Sequence, residues 1–163
     1  MAIQTSFASA PARGIAGDYA SAEDPRVTIS RLAEVAIAQG LVVTQGTAPP
    51  AESYGHPGQC KIPTSEAEVT AALGVALRNL AKEGADYAAE DAVSIARKGV
   101  VWVYCEDAVD YGDPVYVRVT AGVGETAGMV RSDGDSGDAF VLPGAEFRET
   151  ITGAGLVPVA LDC

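Results

Sequence analysis

The chain predicts a mainly β fold, a sandwich or barrel with one short helix and an extended N-terminal arm, on three observations. Runs of β-branched and apolar residues of strand length recur at intervals of about ten residues, with glycine, proline, aspartate or serine between them. Eighteen glycines and nine prolines in 163 residues leave little room for long helices. Residues 1–17 carry one charge, Arg13, and only isolated apolar points at Ile3, Phe7 and Ile15, so they lack the periodicity that would bury them in their own domain. The expected boundaries are an arm over residues 1–24 and a single β-rich domain over residues 25–163. A chain of this length buries roughly 70% of its unfolded surface, enough for one core.

Val27-Thr28-Ile29-Ser30-Arg31 alternates apolar and polar residues and predicts the first strand. Leu32–Gln39 fits a helical turn or another strand, and the apolar run between Gly40 and Gly46 reads as a strand. Thr47–Pro63 holds four prolines, two glycines and the only histidine, which predicts a loop. Ser65-Glu66-Ala67-Glu68 has the capping-box pattern, in which a serine oxygen and a glutamate satisfy the first free backbone amides of a helix. Val69, Leu73, Leu77 and Leu80 continue at helical spacing. Gly74 interrupts that run and offers a strand start instead; a short helix is the reading adopted.

Val93–Ala96 and Val100–Tyr104 are strand-like runs separated by Arg97-Lys98-Gly99, which predicts a hairpin. The second run is apolar on both alternating faces, so both should be covered, with Trp102 in the core. Gly112-Asp113-Pro114 supplies a turn, after which Val115, Val117 and Val119 should face inward and Tyr116 and Arg118 outward. Gly122–Gly128 reads as a turn, Met129–Arg131 as a brief strand and Ser132–Asp138 as an acidic loop. Phe140–Leu142, Phe147–Ile151 and Leu156–Leu161 complete the strands, and Pro158 should confine the last to an edge or a bulge.

Composition limits function. The net charge of −11 repels a phosphate backbone, and the 11 basic residues are dispersed, so direct nucleic-acid binding is not expected. No run reaches the roughly 20 apolar residues of a membrane span, and the N-terminal residues lack the basic and apolar parts of a secretion signal. Cys60, Cys105 and Cys163 are odd in number and widely spaced, unlike a disulfide framework.

The motifs that invite a chemical reading each fail on their own terms. Gly134-Asp135-Ser136-Gly137 resembles the nucleophile loop of chymotrypsin-type proteases, but Asp138 replaces the final glycine and His56 sits in Gly-His-Pro-Gly. Asp133, Asp135 and Asp138 could offer oxygens to calcium, but the order at Gly137 and Asp138 is reversed from an EF-hand loop and no glutamate closes it. His56 and Cys60 lack two further zinc ligands nearby, and Gly122–Gly128 lacks the lysine of a phosphate-binding loop. The expectation is a protein with no catalytic residues, no cofactor and no metal.

Several pieces in order carry a family resemblance: Arg13-Gly14, Ser30-Arg31, Gly40-Leu41-Val42-Val43 with Gly46, Gly74-Val75-Ala76, Tyr87 ahead of Val93-Ser94-Ile95, Arg97-Lys98-Gly99-Val100-Val101-Trp102-Val103, and Gly112-Asp113-Pro114-Val115-Tyr116-Val117. From about residue 11 to 151 the chain resembles the structural cement, or capsid decoration, proteins of tailed bacteriophages. The resemblance implies a jelly-roll-like fold and a non-enzymatic role on the outer surface of a phage capsid, locking adjacent major capsid protein subunits after synthesis in the bacterial cytoplasm. The implied partners are the major capsid protein and other copies of the chain, a trimer favoured over a dimer, with neither nucleic acid nor membrane. An arm that cannot bury itself gains order on a neighbour, which makes Ile3, Phe7, Arg13, Ile15 and Tyr19 the expected capsid or subunit contacts. The alternative is a carbohydrate- or ligand-binding β-module on the virion surface. The loop Thr47–Pro63 and the segment Gly124–Asp138 lie outside the resemblance.

Overall fold

The computed structural model describes residues 14–22, 24–47, 58–82 and 85–163. In chain order the elements are β1 (Val27–Ala33), β2 (Val42–Gln45), β3 (Gln59–Lys61), α1 (Glu66–Thr70), β4 (Ala72–Ala76), β5 (Ala92–Cys105), β6 (Pro114–Arg118), β7 (Val130–Arg131), β8 (Ala139–Phe147) and β9 (Gly155–Asp162). The fold is mainly β with one short helix, as the spacing of apolar runs predicts.

The strands close into two rings that share β5. Its first half pairs with β1 on one side and β4 on the other, and β3 and β2 complete that ring. Its second half pairs with β9 and, at Cys105, with β7, and β6 and β8 complete the other. Where chain length alone leads one to expect a single core, the interior divides into two clusters. Ile37, Val43, Cys60, Tyr87, Val93 and Ile95 fill the first barrel. Val101, Val103, Val117, Leu142, Phe147 and Val159 fill the second, whose cluster extends through Val69 of α1 to Val42 and Val75.

The expected hairpin at Arg97-Lys98-Gly99 is instead the middle of the 14-residue β5. Lys98 pairs with Val27 and Ala96 with Thr28, so Arg97 is bulged, and Gly99 at φ +120° turns the strand without reversing it. Each half finds its own partners, which a hairpin would have denied it. Gly74 is fixed by contact as well as by conformation. It sits at φ +133°, and a Cβ there would lie 1.9 Å from the Ala96 carbonyl oxygen, so only glycine lets β4 approach β5.

The segment after Ser65 realises both of its readings in turn, a five-residue helix and then β4. Ser65 makes no side-chain cap, whereas the Glu68 carboxylate accepts from the Thr64 N–H at 2.7 Å and pairs with Lys61 at 2.7 Å. The expected loop Thr47–Pro63 contains β3, which pairs with both β1 and β2. Phe140 and Phe147 lie on one strand, β8, while Ile151 makes only an isolated bridge to Val109. Pro158 lies within β9 opposite Trp102, whose backbone N–H and C=O are both directed to residues 17–18, so the proline forfeits no bond to β5.

Candidate docking site

The end of the expected arm is built onto its own domain. Ala20 N–H donates to the Val100 carbonyl at 2.7 Å, Trp102 N–H to that of Asp18 at 2.8 Å, and Gly17 N–H to that of Trp102 at 2.8 Å. Tyr19 bridges Val101 in the same antiparallel run. These residues occupy the edge of β5 between β4 and β7. The Asp18 N–H donates back to the Ile15 carbonyl at 3.0 Å, closing a turn in which Gly17 takes φ +84°. The turn lays Gly14 on the indole of Trp102, where a Cβ would stand 2.1 Å from Cδ1.

Of the expected contact residues, Ile3, Phe7 and Arg13 lie outside the described residues. The structure places Ile15 half-exposed at the turn, 46% accessible. Tyr19 is partly buried: it shares a hydrogen bond with the Thr28 hydroxyl at 2.8 Å, and the Arg26 guanidinium stacks 4.4 Å from its ring centre. Tyr19 therefore fastens the segment, and Ile15 is the more exposed of these two expected contact residues.

Trp102 is not in the interior. Val101, Val103 and Cys105 point into the second barrel, and the opposite face of β5 carries Val100, Trp102 and Tyr104. Register sets these beside Ala160, Pro158 and Leu156 of β9, so the outside of the barrel has an apolar patch two strands wide. Gly14 covers its centre, and Tyr104 is 45% accessible at one end.

Beyond Tyr104 stands an ionic cluster centred on Arg118, which alternation assigns to solvent and which the structure buries to 1% accessibility. Its Nε donates to both Glu106 carboxylate oxygens at 3.0 and 2.8 Å, and Nη1 lies 3.0 Å from Glu125. Nη2 is 2.8 Å from Asp135 in a charge contact without hydrogen-bond alignment. Arg131 joins Asp133 and Asp135, each at 2.8 Å, and lies 3.6 Å from Asp107. Burial acts to lower the Arg118 pKa, but the hydrogen bonds to Glu106, the close contact with Asp135 and the surrounding negative charge hold it above its ordinary value. Two guanidiniums thus tie the 122–128 turn and the 133–138 loop to the end of β5. Of the three aspartates considered as calcium ligands, Asp133 and Asp135 face arginine, and no group of three acidic, histidine or cysteine residues suited to a metal occurs among the described residues.

Ser136 sits in a 3-10 turn at φ +57°, and His56 lies outside the described residues. Burial pushes the Cys60 and Cys105 thiols up to about 11 and about 12.

No curated protein matches the chain. Among solved structures, a chain of "The capsid of Myoviridae Phage XM1" superposes with a TM-score of 0.71, covering 99% of this chain and 98% of that one at 16% identity. At that identity the likeness is one of fold. The family model described as "Structural cement protein (E217 gp24/Pam3 gp6)" matches residues 3–162, spanning the N-terminal segment, both barrels and the shared strand, and the chain belongs to that family.

Proposed function

We propose that the chain is a non-enzymatic structural protein that binds the outer surface of a phage capsid and stabilises contacts between major capsid protein subunits. The observation that carries this reading is the family match over residues 3–162. Its partners are the major capsid protein and further copies of itself, a trimer favoured. It is made in the host cytoplasm and ends on the outside of the virion.

Ile3, Phe7, Arg13 and Ile15 supply the contact chemistry, three apolar anchors and one cation, while Tyr19 holds the base of the segment on β5. Individually weak contacts of this kind become strong on a lattice, because neighbouring sites raise the effective concentration of each arm. Cosedimentation with undecorated heads, followed by electron microscopy, tests the reading. Wild-type protein should pellet with heads and appear as ordered density outside the shell. A variant with Ile3, Phe7 and Arg13 all changed to alanine should stay folded and remain in the supernatant. Undiminished decoration by that variant would reject the arm as the anchor, and glycan binding without head binding would favour a ligand-binding module instead.

A further inference from the structure

We infer that the apolar outer face of β5 and β9 is the seat for the N-terminal arm of a neighbouring copy, so that arm and face join copies head to tail. This rests on the cement reading, because an arm folded back on its own face would tie nothing together. Register sets Val100, Trp102 and Tyr104 beside Ala160, Pro158 and Leu156; Pro158 is buried, Val100, Trp102, Leu156 and Ala160 are partly accessible, and Tyr104 is 45% accessible. The accessible parts of these side chains form one contiguous apolar strip, and such a strip marks a contact surface.

Chain direction and charge select the occupant. The described chain begins at Gly14, on this face, and thirteen residues precede it. All 22 acidic residues lie after residue 13, while residues 1–13, the part of the arm ahead of the described chain, hold Arg13 and none of them. Two acidic bodies meeting face to face would repel, whereas an acid-free arm would not. The face also runs into the acidic surround of Glu106 and Glu125, which lie in one groove with Tyr104. Ile3, Phe7 and Arg13 all stand at odd positions, the period of a β-strand face. Ile3 and Phe7 are four positions apart, as are Val100 and Tyr104 on β5, a spacing of about 13 Å in extended chain.

Two variants of the full chain test this, Phe7→Glu on the arm and Tyr104→Glu on the face, each checked for folding by circular dichroism. Wild-type protein should self-associate in sedimentation velocity at low salt, with a concentration-dependent shift of Trp102 emission. Either variant alone should associate at least about tenfold more weakly. Mixed, they should form a complex that stops at one of each, since only the intact arm of one meets the intact face of the other. The inference is overturned if wild-type protein stays monomeric, if either variant associates like wild type, or if the mixture remains monomeric. An emission change in Phe7→Glu that is independent of concentration would place the arm on its own face and overturn it too. The readout needs no capsid. Failure here leaves head binding standing, and failure of wild-type protein to bind heads would sink the cement reading while leaving this association intact.

Discussion

Replacing Arg118 by methionine should be among the most damaging changes that leave the backbone untouched. The side chain is 1% accessible, and its principal partner, Glu106, is 13% accessible, so the pair is shielded from water and salt. Removing one member of a buried pair costs about 3–5 kcal/mol, because the other charge is left without compensation. The contacts to Glu125 and Asp135 add little, since those carboxylates are 41% and 34% accessible and exposed pairs contribute about 0–1 kcal/mol. For a chain of this size the total corresponds to a fall in Tm of roughly 6–20 °C. Removing both charges in Arg118→Met with Glu106→Leu should recover at least about 1.5 kcal/mol of the loss, because an apolar pair of similar volume leaves no buried charge. Urea unfolding followed by Trp102 fluorescence and circular dichroism measures all three variants. A single-variant loss below about 1 kcal/mol would show that the pair behaves as an exposed one. Losses that simply add in the double variant would refute the coupling.

Gly74→Ala should fail to fold or lose more than about 3 kcal/mol, since it combines φ +133° with a Cβ 1.9 Å from the Ala96 carbonyl oxygen. Gly112→Ala has φ +85° but open space around it, and should lose about 1 kcal/mol by thermal melting. In the native protein at pH 8, Cys60 and Cys105 should resist a disulfide reagent because both are buried and their thiols are pushed up to about 11 and about 12, while unfolding should release three reactive thiols. Rapid native labelling at either site would contradict the packing. Acid should destabilise the fold through Glu68, held below its ordinary value of 4.5 by the hydrogen bond from Lys61, and through Glu34, held low by the Thr47 N–H. Both contributions are present above pH 4.5 and are lost as pH falls through the depressed folded values. Glu68→Gln should therefore lose less stability than wild type between neutral pH and pH 3, and an equal loss in both would overturn the assignment.

Alternation along a strand identified which residues share a face, and it did so correctly even where burial differed. Val115 and Val117 point inward and Arg118 opposes them, as their order requires. What alternation does not contain is the roof over Arg118, which comes from Glu106, Glu125 and Asp135 on three separate loops. The signal that would have found it is the excess of carboxylates in the loops that flank β6 and β7. Trp102 is the same case. Both faces of Val100–Tyr104 are apolar because one lines the barrel while the other is shared between residues 14–20 and open surface, not because a second sheet lies over it. The Arg97-Lys98-Gly99 segment was ambiguous for a different reason. A bulge and a hairpin turn both call for positive φ at glycine, and the choice between them belongs to β1, β4, β7 and β9, which are distant in sequence.

The placement of the N-terminal segment has a mechanical consequence for a protein whose proposed task is to hold a pressurised shell. Residues 17–20 run antiparallel to β5 and are joined to it by bonds from Gly17, Ala20 and Trp102. Tension applied along that run loads these bonds together, in shear, whereas tension across it would break them one after another. Behind them β5 is a single 14-residue strand common to both rings, so a pull on the arm is distributed to two cores through one covalent path. A hairpin at Gly99 would have ended that path halfway. The bulge preserves it, and Tyr19 adds a second fastening to β1 through Thr28. On this reasoning the first bond to take the load is the one from the Asp18 N–H to the Ile15 carbonyl at 3.0 Å, ahead of those that join Gly17 to Trp102 and Arg78.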